Sequence, residues 1–541
     1  MKESKRKYEL TIKYLVPERI IACENVENAE ILLEDDNMQP VLNTTKTLCK
    51  INEGGWILFD FGKEIQGGAE ICVQDVSENS RLRLVFGESV SEALSNIGEN
   101  NATNDHNVRD MTLNAVFLSR FRAGNTGFRF LKLEAVCGSV AIKGVQGVFE
   151  YRDIKRIGSF ECNDKRINEI WETSAYTLSL VMQDHVWDGI KRDRLVWIGD
   201  MHPEITSVCS LYGHAEVIEK SLDLIRDETP ADQWMNLLST YTMWWVIIHR
   251  DWYMQNGNKD YLAQQKEYMV KILNKLSSSV TDNGDYTIPQ ALVDWNSSET
   301  PAEAAGFRAV YVICMKYGAE IAEILGEAEL KEKCENARAK LESKTEPVDN
   351  NKQIAALAAL AGLEDVDKMC KEVILPNGGN GLSTFLGGFV LQAAAKGGYI
   401  SEALNMMKEY WGAMLDLGAT TFWEDFELDW AENASRIDEL PKEGKTDVHA
   451  QYGKFCYKNL RHSLCHGWAS GPVTFLSKYV LGINVIEAGC KKVKITPALG
   501  ELEYAKGTYP TPYGEICVEH RKTKDGIVSE IKAPKEIEII K

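Results

Sequence analysis

Lys165-Arg166-Ile167-Asn168-Glu169-Ile170-Trp171-Glu172-Thr173-Ser174-Ala175-Tyr176-Thr177-Leu178-Ser179-Leu180-Val181 is the stretch where the chain changes its period. Ile167, Ile170, Trp171, Ala175, Leu178, Leu180 and Val181 recur mostly three and four residues apart, which places them on one face of a helix. The same periodicity predicts helices around 203–212, 214–227, 235–256, 260–279, 303–325, 328–343, 351–373, 383–397, 400–416 and 467–480. Between them lie turn formers such as Asp282-Asn283-Gly284-Asp285 and Pro376-Asn377-Gly378-Gly379. About a dozen helices in some 320 residues suit paired hairpins closed in a ring, although periodicity alone serves a solenoid equally well.

Upstream the pattern is strand-like. Trp56 to Gly62 is followed by Gly67-Gly68 and Ala69 to Val73, and Arg81 to Gly87 and Phe128 to Glu134 alternate with period two, short runs bounded by Gly, Asn and Asp. Downstream of Leu481 the alternation returns in Lys492 to Ile495 and Glu515 to Glu519. Strands, then helices, then strands argue for separate domains rather than one α/β sheet. The expected partition is 1–155 β, 156–480 helical and 481–541 β.

The 541 residues carry a formal net charge of −19, which repels a phosphate backbone, so nucleic-acid binding is not expected. The longest basic cluster is Lys5-Arg6-Lys7. The N-terminus has cations but no apolar stretch behind them, and no apolar run is long enough for a bilayer, so neither a signal peptide nor a membrane partner is expected. The 13 cysteines form no CxxC spacing; they read as buried thiols in a reducing, cytoplasmic setting. No Asp-rich loop of EF-hand type occurs, and neither a metal nor another cofactor is expected.

Three segments look chemical. Trp187 to Asp200 packs three carboxylates, three cations and two tryptophans between two helices. Aromatic faces cover the apolar side of a pyranose and carboxylates accept its hydroxyl protons, so the composition suits a sugar site. It also suits a structural ion-pair network at a domain junction. Gly418-Ala419-Thr420-Thr421-Phe422-Trp423-Glu424 suggests a tight turn delivering Trp423 and Glu424 to one place. In Ser463-Leu464-Cys465-His466-Gly467-Trp468 the histidine precedes an apolar helix. Cys465 invites a thiol mechanism, but the sequence places no Asp or Asn partner for one.

In this order the three segments resemble the bacterial α-L-rhamnosidases, glycoside hydrolase family 78 of the six-hairpin glycosidases. The family's hallmarks are D-C-P-Q-R-x-E-R-L-G-W-x-G-D, then G-A-T-T-x-W-E, then N-H-x-x-x-G. Phe59-Asp60-Phe61-Gly62 with Gly67-Gly68, and Tyr504-Ala505-Lys506-Gly507-Thr508, resemble its flanking domains. The resemblance implies a central (α/α)6 barrel between an N-terminal β-sandwich and a C-terminal β-sandwich domain. It implies inverting hydrolysis of terminal α-L-rhamnosyl residues from a small glycoside, by a general acid and a general base. The acid falls on Asp193 and the base on Glu424. Asp188, Arg192, Trp197, Asp200, Trp423 and His466 would bind the sugar, with Trp295 (in Val293-Asp294-Trp295) and Trp234 as further aromatic walls.

Two departures matter. The first loop is one residue shorter than the family pattern, and its acid is Asp rather than Glu, so Asp188 or Asp200 is the alternative donor. Arg192 and Arg194 flank Asp193, and a close cation lowers a carboxyl pKa, the wrong direction for a proton donor. A six-hairpin glycosidase for another sugar, a carbohydrate-binding homologue without catalysis, and a homodimeric assembly are all open on sequence grounds.

Overall fold

In the computed structural model, residues 8–541 are described; the Lys5-Arg6-Lys7 cluster lies outside them. The described chain divides into two compact units that do not follow chain order. One holds the residues up to Asp153 together with Ser179–Arg194 and Met414–His466; the other holds Ile154–Leu178, Leu195–Ala413 and Gly467–Lys541.

In the first unit seven strands form one antiparallel sheet. Its path runs Thr11–Leu15, Val140–Tyr151, Cys49–Val76, Ser119–Cys137, Arg81–Gly87, Asp110–Asn114, with Arg19–Glu27 pairing off the path against Cys49–Val76. All three strand-like runs read from the sequence lie in these strands. The long strand bends where its register against Ser119–Cys137 slips between Asp60 and Ile65. Gly62 makes the bend with φ +81°, and a Cβ there would strike the Glu18 carboxylate. Inside, Phe128 meets Phe61 and Phe86 edge-on at 5.6 and 4.8 Å. The segment 414–466 is anchored to this sheet by buried Arg129. Its guanidinium donates to the Gly418 carbonyl (3.0 Å) and pairs with Asp60 (2.8 Å) and Asp438 (3.4 Å).

In the second unit six helices alternate in the chain with a second set. We number the first set α1 (Met201–Leu211), α2 (Ser239–Asn256), α3 (Ala302–Ile324), α4 (Lys352–Ala361), α5 (Gly387–Lys396) and α6 (Gly471–Phe475, extended to Val480 by a wider turn). Each packs on the next, and α6 packs back on α1, so the six close into a ring. The ring core is aliphatic and aromatic, with Trp244, Trp245, Trp252 and Tyr311 fully buried.

Three helix boundaries differ from the sequence reading. The helix expected from 235 begins at Ser239, because Asn236 (φ +48°) and Leu237 (φ +66°) are left-handed. The one expected over 351–373 stops at Ala361, where Gly362 takes φ +83° and its N–H closes the last turn onto Ala358. The one expected from 383 begins at Gly387, after Ser383 has bonded the Leu386 N–H.

The terminal β region is a four-stranded antiparallel sheet and a three-stranded one. The four-stranded sheet takes its edge strand, Ser159–Cys162, from ahead of the helices, paired with Ala505–Thr508. The helical stretch is thus bracketed by two strands of one sheet.

Candidate active site

The loop 187–194 is built by backbone pairing before any charge acts. Gly127 N–H donates to the Ile190 carbonyl at 2.9 Å, and Gly189 forms a single bridge with His466. Asp193 (φ +56°) and Arg194 (φ +58°) are both left-handed, and the Arg194 N–H closes on the Arg192 carbonyl at 2.7 Å. Two such residues in succession cost energy for anything but glycine, so the turn is held by its surroundings. Arg194 provides part of that hold. It lies 4.3 Å over the Trp187 ring and donates to Asn125 at 2.7 and 2.9 Å, so it turns away from Asp193.

Arg192 does the opposite. One terminal nitrogen is 3.1 Å from Asp193 Oδ1 and the other 2.5 Å from Glu424 Oε1. A guanidinium's terminal nitrogens are about 2.3 Å apart, so the two carboxylates approach within about 8 Å, the range of a glycosidase pair. His466 Nε2 stands 3.5 Å from Glu424 Oε1 and 3.6 Å from Asp188 Oδ2. The Ser463 N–H donates to Glu424 Oε2 at 3.2 Å. Four residues expected from the sequence, Asp188, Arg192, Glu424 and His466, are thus buried together, with Asp193 at their edge and its Oδ1 3.4 Å from His106 Nδ1. Burial works against a charge on Glu424, but Arg192 and then His466 outweigh it, so the carboxyl sits below its ordinary value.

Behind this group lie residues that the sequence reading missed. Glu88 accepts from the Leu464 N–H (2.6 Å) and the Ser463 hydroxyl (3.2 Å), bracing the segment that carries His466. Burial pushes Glu88 up to about 7, with Lys191 pulling the other way. Glu88, Glu92 and His449 offer three ligand atoms within 4.8 Å of one another. The Lys191 ammonium already serves both glutamates there, at 3.2 and 3.1 Å, and donates to the Leu460 and His462 carbonyls. Glutamates in a β-rich stretch carry no local mark, so only the fold reveals them. Burial pushes the Cys465 thiol well up, which keeps it protonated and unfit as a nucleophile.

The remaining expected residues belong to the second unit, except Trp423. Asp200 is buried at the start of α1 and accepts from the Tyr241 hydroxyl at 2.7 Å. Trp197 meets the Tyr241 ring edge-on at 5.9 Å. Trp234 is half-buried under the Lys275 ammonium, 3.4 Å from its ring centre. Trp295 is half-buried and follows Asp294, whose carboxylate accepts from Ser383 at 2.5 Å and is pushed by burial up to about 6. Trp423 is 1% exposed and packed edge-on against Phe426 and His462, which leaves it no free face.

Residues 155–348 match the family model described as the bacterial α-L-rhamnosidase six-hairpin glycosidase domain, and residues 482–539 match the bacterial α-L-rhamnosidase C-terminal domain. An α-L-rhamnosidase of Alteromonas sp. (strain LOR) is 23% identical, the match covering 88% of this chain and 55% of that protein. A rhamnosidase structure of family GH78 from Bacillus sp. GL1 superposes with a TM-score of 0.73 at 20% identity, over 92% of this chain and 53% of that one. A Klebsiella oxytoca rhamnosidase with rhamnose bound gives 0.69 at 17% identity, over 86% and 95%. The chain spans about half the length of the Alteromonas and Bacillus proteins. At these identities the structural likeness speaks for the fold: a helical body with sheets.

Proposed function

We propose that this chain, which carries the six-hairpin and C-terminal domains of the bacterial α-L-rhamnosidases, hydrolyses terminal α-L-rhamnosides with inversion. The observation that carries the reading is the guanidinium shared by Asp193 and Glu424. Two carboxyl groups from distant parts of the sequence are held on one guanidinium. The closed ring of six helices supports an (α/α)6 barrel, and the matched segments support domain boundaries near 155 and 481.

In this mechanism Glu424 is the base. Cations hold it ionised, the state needed to take a proton from water. Asp193 protonates the departing oxygen. The entering sugar displaces Arg192 from between them, and its guanidinium then binds sugar hydroxyls with Asp188 and His466. Trp423, packed edge-on against Phe426 and His462, supports Glu424 from within the core.

The same guanidinium favours a second reading, a carbohydrate-binding homologue in which it bridges the two carboxylates permanently. Assay with p-nitrophenyl α-L-rhamnoside separates the two, with the first-formed anomer followed by NMR. Turnover giving β-L-rhamnose first is expected. Binding of rhamnose without cleavage would establish the second reading, and retention of configuration would remove the two-carboxylate inverting scheme.

A further inference from the structure

Inside the ring of α1 to α6 lies a cavity of about 440 Å³, bordered by residues of all six helices and, at one mouth, by Ile483 to Val485 and Tyr509. This is the size of a small-ligand site, for which roughly 300–1,000 Å³ is usual. We propose that it binds a small anionic carbohydrate, a polyol carrying a carboxylate or a phosphate.

The charge inside it is one-sided. Arg250, Lys316, Lys396 and Lys478 border the cavity from four helices, against one aspartate, Asp251. Asp251 is already committed: it is 3.1 Å from His202 Nε2 and 3.1 Å from Arg250 Nη1. Arg250 is further satisfied by Glu320 at 2.8 Å. Among the described residues, none of the three lysines has an ion-pair partner. Lys396 donates weakly to the Ala359 carbonyl at 3.5 Å, and Lys316 and Lys478 border the cavity without an ion pair. Burial in the recess, and then nearby Arg250 and Lys396, outweigh Asp251 and hold the Lys478 ammonium below its ordinary value. Like charges gathered in a walled recess repel one another, and a bound anion removes that penalty. The rest of the chain is acidic, with a net charge of −19, so this recess runs against the average.

A bland role explains only part of the set. Lysines in the last turn of a helix complement its dipole, and Lys396, the final residue of α5, fits that role. Lys316 does not, since it stands eight residues before the end of α3. Beside the charged group the wall is aromatic: the His202 ring lies 4.7 Å from Trp244 and 5.5 Å from Phe389, apolar surface suited to the apolar face of a sugar ring. Ser477, Thr474 and Gln392 supply hydrogen-bonding groups for hydroxyls.

The full chain would be titrated calorimetrically with D-galacturonate, with inorganic phosphate, and with L-rhamnose as the neutral control, at low and at high salt. Binding of galacturonate assigns a sugar acid, and binding of phosphate alone assigns a phosphate ester. Either affinity should fall with salt and drop roughly tenfold or more in Lys396→Gln/Lys478→Gln. Lys316→Gln, which leaves the other two lysines in place, should give a smaller loss and serves if the double variant fails to fold. Rhamnoside cleavage should be unchanged in all three forms. Failure of both anions to bind overturns the proposal. Equal affinity in the variants, or displacement of the anion by L-rhamnose, does the same.

Discussion

Arg192 lies within salt-bridge distance of both Asp193 and Glu424, and together with His466 it outweighs burial and holds the Glu424 carboxyl below its ordinary value. Glu424→Gln keeps the shape and most hydrogen bonds but leaves the water without a base, so turnover should fall by about 10²–10⁴ while rhamnose binding persists. An unchanged rate would remove Glu424 from the chemistry. Asp193→Asn should damage substrates with poor leaving groups more than aryl rhamnosides, which need less protonation; equal damage to both would make Asp193 a binding residue. The pH profile carries a sign of its own. Glu424 must be ionised to act, and its carboxyl lies below the ordinary value, so the acid limb of kcat/KM should lie below about 4.3, the usual glutamate range. His466→Gln removes a positive neighbour, which raises the Glu424 pKa and should move the acid limb to higher pH. An acid limb that stays put in that variant would show that His466 does not tune the base.

The same loop shows how elements, rather than charges, place the site. Gly127 belongs to strand Ser119–Cys137, and a Cβ on it would come within 2.5 Å of Ile190 Cγ1 and 3.0 Å of the Ile190 carbonyl carbon. The strand and the loop touch backbone to backbone through the Gly127–Ile190 hydrogen bond. Gly127→Ala must therefore push the loop off the strand, at a cost of about 1–3 kcal/mol. Because Asp188, Arg192 and Asp193 sit on either side of Ile190, the loss of kcat/KM should exceed what the loss of folded protein explains. Thermal melts and kinetics on the folded fraction check this; a lower melting temperature with normal kcat/KM would show that the loop position is not critical. Gly199→Ala makes a matching case just ahead of α1. There the added Cβ would meet the Tyr241 ring at 2.4 Å, and Tyr241 orients Asp200.

Across the whole molecule, what the sequence disclosed and what it hid divide along local and nonlocal lines. The switch of period at Lys165 announced the helices, and the G-A-T-T-x-W-E resemblance announced Glu424, because both are written in neighbouring residues. The left-handed pair Asn236-Leu237 was hidden, since neither residue is the glycine that usually marks such a turn. Glu88 and Lys191 were hidden because their meaning lies in a partner hundreds of residues away, such as Leu464. The strand Ser159–Cys162 was hidden for the same reason, its partner being Ala505–Thr508. That pairing makes the terminal β region part of the helical unit's closure rather than an appendage. Gln255, at the end of α2, donates to the Pro510 carbonyl at 2.9 Å and accepts from the Tyr509 hydroxyl at 2.8 Å, and His520 Nε2 lies 3.1 Å from the Leu481 carbonyl. A chain ending at Leu481 would leave Ser159–Cys162 as an unpaired edge, Gln255 without its partners and the apolar face of Phe160 and Leu481 in water. Such an edge recruits other chains. The shortened protein should therefore melt well below the full chain and associate on warming, as light scattering alongside a thermal melt would show. A shortened chain that stays monomeric and melts within a degree or two of the full length would mean that the ring of six helices closes on its own.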